Sequence, residues 1–148
     1  MKKVILCIGN REGGDDAVGP LIADRLADKA DENLIVIDAG IAPENFTGVV
    51  KQHNPQRLII IDAVEMGRDP GEIRKVPPER IGLMHISTHG IPLSVLIKYL
   101  QQYVKDIVLI GVQPKTMNGD TSEEVRNEIP LLTTRIVDDT IDEISILE

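Results

Sequence analysis

The stretch Leu58–Ala63, Leu-Ile-Ile-Ile-Asp-Ala, constrains this chain more than any other. Its branched aliphatic run follows the polar Asn54-Pro55-Gln56-Arg57 and offers no polar face. Such a run predicts a strand buried on both sides, as in a parallel sheet covered by helices. Asp62 closes the run at the strand's carboxyl end. In open α/β sheets that edge is where ligands bind. A single aspartate there would serve only to cap a turn, but Leu34–Ala39 repeats the pattern and ends in Asp38 before Gly40. A third apolar strand, Val4–Ile8, runs into Gly9-Asn10 and then the acidic pair Asp15-Asp16.

The loop Arg11–Pro20 is glycine-rich and lies between a strand and a helix, yet it lacks both the Lys-Ser/Thr of a P-loop and the G-x-G-x-x-G of a dinucleotide fold. Two adjacent carboxylates would repel phosphate and suit a cation or an electropositive peptide. One of the pair is expected to cap the following helix and the other to face the site. That helix, with Pro20 near its first position and Val18, Leu21, Ile22 and Leu26 on one face, should run to about Ala30. Ala42-Pro43-Glu44-Asn45 opens a second helix with Phe46, Val49 and Val50 inward, and Glu72–Val76 is too charged for a central strand and reads as an edge. Pro77–Met84 is irregular with one helical turn, and His85–Pro92 is a polar loop before a helix that turns Leu93, Leu96, Ile97, Leu100 and Val104 inward. Ile107–Val112 is the last strand. Thr121 and Glu124 fit a capping box, and Pro130 starts or kinks a final helix with Leu132, Ile136, Ile141 and Ile144 toward the core.

Alternating strands and helices over 148 residues predict one domain spanning 1–148. Its fold class is α/β: a three-layer α/β/α sandwich with a mainly parallel sheet of about five strands and one antiparallel edge strand. The net charge of −8 and the scarcity of aromatics, with one Phe, two Tyr and no Trp, argue against a nucleic-acid partner. No apolar run has the length of a membrane span, and Met1-Lys2-Lys3 leads into a strand rather than a signal peptide, so a cytoplasmic protein is expected. The single cysteine, Cys7, excludes an internal disulfide and an all-cysteine metal cage.

This topology should gather Asp16, Asp38 and Asp62 near one crevice, with His89 reaching in from a later loop. Two carboxylates and an imidazole make a partial coordination sphere for a borderline divalent ion such as nickel or zinc. Clustered acids at a sheet edge serve equally for a hydroxyl-rich or cationic ligand, and the residues alone leave both readings open. No covalent nucleophile stands out. Cys7 lies inside an apolar strand where burial dulls a thiol, and Ser87 and Thr88 are too close to His89 in sequence to suggest a triad. Hydrolysis would more naturally use metal-activated water or a polarised carbonyl.

The ordered pieces Cys7-Ile8-Gly9-Asn10, Gly14-Asp15-Asp16 with Gly19-Pro20, Ile37-Asp38-Ala39-Gly40 with Ala42-Pro43-Glu44-Asn45, Ile61-Asp62-Ala63 with Met66-Gly67 and Pro70–Arg74, Thr88-His89 with Pro92-Leu93, and Gly111-Val112-Gln113-Pro114 resemble the NiFe-hydrogenase maturation endopeptidases, in particular the type serving hydrogenase 3. The resemblance implies a cytoplasmic, aspartyl-type processing endopeptidase that removes a C-terminal extension from the hydrogenase large-subunit precursor after nickel insertion. It carries the metal-contacting trio onto Asp16, Asp62 and His89, with Asp38 in support. The nickel would be supplied by the precursor rather than be tightly resident, so metal affinity of the protein alone should be weak. A monomer or weak homodimer is expected. Rival readings are a nickel-sensing assembly chaperone without cleavage and a metal-dependent hydrolase with a resident ion. One departure is Ala17, where the family usually has glycine, which should narrow the backbone there.

Overall fold

The computed structural model describes residues 1–82, 85–86 and 91–148, with 85–86 described by their backbone. In chain order the elements are β1 (Lys3–Ile8), α1 (Val18–Leu26), β2 (Leu34–Gly40), α2 (Thr47–His53), β3 (Arg57–Glu65), β4 (Ile73–Val76), α3 (Pro78–Ile81), β5 (His85–Ile86), α4 (Leu93–Leu100), β6 (Asp106–Val112), α5 (Glu123–Arg126) and α6 (Ile129–Val137). The sheet order is β2-β1-β3-β6-β4. β2, β1, β3 and β6 run parallel, and β4 is the antiparallel edge.

Burial explains the order. β1 is buried along its whole length, and β3 is buried from Leu58 to Val64. Such strands have to lie in the middle, because each fully buried aliphatic side chain contributes roughly 1.5–3 kcal/mol that an edge or solvent-facing position would forfeit. Alternate residues feed two cores. Ile5, Cys7, Ile59 and Ile61 pack with α1 and α6, whereas Leu6, Ile8, Ile60 and Val64 pack with α2 and α4. The result is the expected three-layer arrangement. The chain leaves β1 for β2 on one side and returns to β3 on the other side of β1, so the switch in strand order lies between β1 and β3.

Several local expectations shift. β3 continues through Glu65, because β5 pairs antiparallel with its end at Val64 and Glu65. Asp62 therefore sits inside the strand, opposite Gly111 of β6, and His85–Ile86 belong to a strand rather than a loop. α1 ends at Leu26 and passes through a 3-10 turn at Ala27–Lys29. Val49 points outward, 37% exposed, while Val50 alone of α2 is fully buried and Phe46 packs partly against the core. The cap before α5 is Ser122, whose hydroxyl accepts from the Val125 N–H, and the Thr121 hydroxyl donates to the Gly14 carbonyl instead. Pro130 lies in the first turn of α6, while Ile141 and Ile144 reach the core from a segment beyond that helix. Among the described residues no helix is long and apolar enough to cross a membrane.

Candidate functional site

Asp16 and Asp62 occupy the two sides of the switch point, one in the turn after β1 and one near the carboxyl end of β3. Asp16 lies in a 3-10 turn, Gly14–Ala17, that runs directly into α1. Two glycines press this turn onto the end of β1. A Cβ on Gly19 would stand 2.2 Å from the Ile8 carbonyl oxygen, and one on Gly9, whose φ is +149°, would stand 1.9 Å from the Asp16 carbonyl oxygen. Any side chain at either position would push the acid away from the sheet. The Asp16 side chain is anchored as well, its Oδ2 accepting the Asn10 N–H at 3.1 Å. Ala17 adopts φ −74° and ψ −4°, ordinary right-handed geometry, so the departure from glycine costs nothing here.

Asp62 is fully buried and accepts the Ala63 N–H at 2.9 Å through Oδ1. Its place in the pleat decides where it looks. Cys7, Asp38 and Ile61 are in register and share the α1 side of the sheet, so Asp62, one residue on, faces the α2–α4 side. Asp38 thus lies on the opposite face from Asp62. It is exposed and pairs with Arg11, whose guanidinium also forks onto Asp24 with two contacts of 2.8 Å. Arg11 holds the Asp24 carboxyl below its usual range. The structure accordingly brings Asp38 to a surface ion cluster rather than beside Asp62. His89, with Ser87 and Thr88, lies outside the described residues. β5 holds His85–Ile86 against the end of the strand that carries Asp62. Among the described residues no group of three or more His, Cys, Asp or Glu side chains is placed to hold a metal ion.

Asp15 does something the sequence did not announce. Fully buried, it caps neither end of α1 and instead gathers the distant loop after β6. Its Oδ2 accepts the Lys115 N–H at 2.7 Å, the Thr116 N–H at 3.1 Å and the Ser122 hydroxyl at 2.8 Å, and its Oδ1 accepts the Ser122 N–H at 2.7 Å. Gln113 plays the matching part beside Asp62's strand. Its buried Oε1 accepts from Met66 N–H at 2.7 Å and Arg68 N–H at 3.2 Å, and its Nε2 donates to Glu65 at 2.7 Å. The only sequence signals were a polar residue directly after an apolar strand and a second acid beside the first.

Cys7 is completely buried, and that burial pushes its thiol far above the ordinary range, with Asp38 and Asp24 adding to the effect. A thiol kept neutral in this way is not a nucleophile. Native protein is expected to resist iodoacetamide at about pH 8 and to be labelled fully in denaturant; rapid labelling of the native chain, read by mass spectrometry, would show that the thiol is reachable.

Comparison with known proteins agrees with this frame. The family model described as HycI, hydrogenase maturation protease, matches residues 20–139. The hydrogenase 3 maturation protease of Escherichia coli K12 is 43% identical over 115 residues, covering 77% of this chain and 74% of that protein. The solution structure of the endopeptidase HycI from Escherichia coli superposes with a TM-score of 0.91 at 34% identity, over 100% of this chain and 97% of that one. A crystal structure of the NiFe-hydrogenase maturation protease HycI from Thermococcus kodakarensis gives 0.84 at 30% identity, over 94% and 92%. A family match that runs from α1 through α6, together with a superposition over the whole chain that includes the turn with Asp16 and the strand with Asp62, leads to one conclusion: this chain belongs to the hydrogenase maturation protease family.

Proposed function

We propose that this chain is the endopeptidase that trims the C-terminal extension from a NiFe-hydrogenase large-subunit precursor once nickel is in place, and that Asp16, Asp62 and His89 read that nickel. The observation that carries the proposal is the pair of buried carboxylates, Asp16 and Asp62, on either side of the strand-order switch. Each accepts a backbone N–H that steadies it. Carboxylate oxygens suit a divalent ion, and burial strengthens their attraction for it. The nickel is cargo of the precursor, and Asp16, Asp62 and His89 add ligands to a metal held elsewhere.

The reaction adds water across one peptide bond. The carbonyl carbon gains an oxygen, the C–N bond breaks, and the leaving amine takes a proton. A divalent ion beside the scissile carbonyl, or beside the attacking water, lowers the barrier by several kcal/mol without a covalent nucleophile. This fits a chain whose single cysteine is buried and neutral. Such a peptidase acts in the cytoplasm on a protein partner, as a monomer or weak homodimer, with no role for nucleic acid.

The test is incubation of this protein with nickel-loaded and nickel-free precursor, read by mass spectrometry as loss of the C-terminal peptide. Trimming of the loaded form alone supports the reading. Equal trimming of both removes the nickel check from it, and binding without trimming makes the protein an assembly chaperone.

A further inference from the structure

Resting on that reading, we infer that the cleft between the start of α2 and α4 is a docking site for the precursor, and that it takes a basic side chain flanked by an aliphatic one. Glu44, Thr47, Ile91, Val95, Leu96 and Tyr99 line a cleft of about 290 Å³. That is at the small end of ligand sites, the size for a side chain rather than a cofactor. Most of the wall is apolar, and much of it lies open. Ile91 is 44%, Val95 54% and Tyr99 37% exposed, although side chains of this kind usually sit inside.

The chemistry of the occupant follows from Glu44. Its Oε2 is buried and has no hydrogen-bond partner among the described residues, and no ion pair there includes it. A buried carboxylate oxygen without a donor costs free energy that an incoming N–H would recover. None of the six lining residues is a cation, and the lysine that contacts the Tyr99 wall is already engaged. Lys51 donates to the Tyr99 hydroxyl at 2.7 Å and stands 5.2 Å and 4.8 Å from the Tyr99 and Tyr103 ring centroids. That contact ties α2 to α4 and holds the rings in place. An acceptor at one end and an aliphatic and aromatic wall along the side suit a charged head on an apolar stem, which lysine and arginine both carry. The chain's net charge of −8 draws such a segment in.

The position suits the precursor rather than an unrelated partner. The cleft lies on the sheet face toward which Asp62 points, since Leu96 and Val64 share the α2–α4 core. Ile91 follows His89 closely in the chain. A segment held here lies on the same face of the sheet as Asp62.

The experiment measures cleavage and binding of nickel-loaded precursor for wild type, Glu44→Gln, Val95→Asp and, as a control on α6, Leu131→Asp. Val95 and Leu131 are both exposed, so neither aspartate disturbs the core. The two cleft variants are expected to raise KM and the precursor Kd by roughly tenfold or more, with kcat within about twofold of wild type. Leu131→Asp should match wild type in both. Unchanged KM and Kd in both cleft variants overturn the docking site while leaving the peptidase intact. Precursor that binds in a Glu44- and Val95-dependent way without being cut upholds the docking site and removes the peptidase reading. Sedimentation as a dimer that Val95→Asp dissociates would assign this face to a second copy of the chain and overturn the inference.

Discussion

Asp16→Asn and Asp62→Asn are each expected to abolish trimming of the nickel-loaded precursor while leaving the fold and precursor binding near wild type. Asparagine keeps the shape and one carbonyl oxygen, so the Asn10 N–H and Ala63 N–H retain an acceptor. What disappears is the negative charge that the proposed reading directs at the precursor's nickel. A divalent ion supplies several kcal/mol to such a hydrolysis, and at about 1.4 kcal/mol per tenfold its misplacement lowers the rate by roughly 10³. The effect should fall on kcat, because the proposed docking cleft, which neither substitution touches, holds the precursor. A variant that keeps more than about a tenth of wild-type kcat would show that its carboxylate is structural and would move the metal contact elsewhere.

Asp15→Ala should damage the fold rather than the chemistry. The buried carboxylate collects three backbone N–H groups and one hydroxyl, from Lys115, Thr116 and Ser122. Its removal strands those donors next to a hole. Hydrogen bonds to charged groups are worth about 1.5–3 kcal/mol each, partly recovered by water that enters, so a net loss of roughly 3–5 kcal/mol is expected. For a chain of 148 residues that corresponds to a melting midpoint lower by roughly 10 °C. A thermal melt followed by circular dichroism measures it, and a shift below about 2 °C would mean that the loop finds other acceptors. The contrast between adjacent residues is informative: one acid is expected to fail in activity and the other in stability.

The sheet was legible in the sequence because it rests on strong local signals. Leu58–Ala63 and Val4–Ile8 have no polar face, and only burial on both sides accommodates that, whereas Leu34–Ala39 carries the same apolar pattern into a half-buried strand at the end of the sheet. The charged Ile73–Val76 strand identified itself as the edge in the same way. Contacts distant in sequence were not legible. Nothing near Asp15 announces that its partners lie about a hundred residues later, since a carboxylate satisfied by backbone N–H groups leaves no mark on the partners' side chains. The direction of Asp38 was missed for a different reason. A strand ending in aspartate says where the residue stands along the strand, while its face depends on register with β1, which only the paired structure supplies. Val49 and Ser122 show the smaller version of this limit, an error of one residue that reverses a helix face or moves a cap.

The fastening of the loop after β6 to Asp15 has a bearing on how this protein can diversify. Connecting loops ordinarily absorb insertions and substitutions freely. Here the backbone of Lys115, Thr116 and Ser122 is committed to one buried carboxylate, so adding or deleting a residue between them would shift the turn that carries Asp16. Retuning toward a different precursor has little room in that loop. The room lies in the outward side chains of α2, α4 and the turn that follows α4, where Val49, Val95, Tyr99 and Tyr103 can be exchanged without moving either acid.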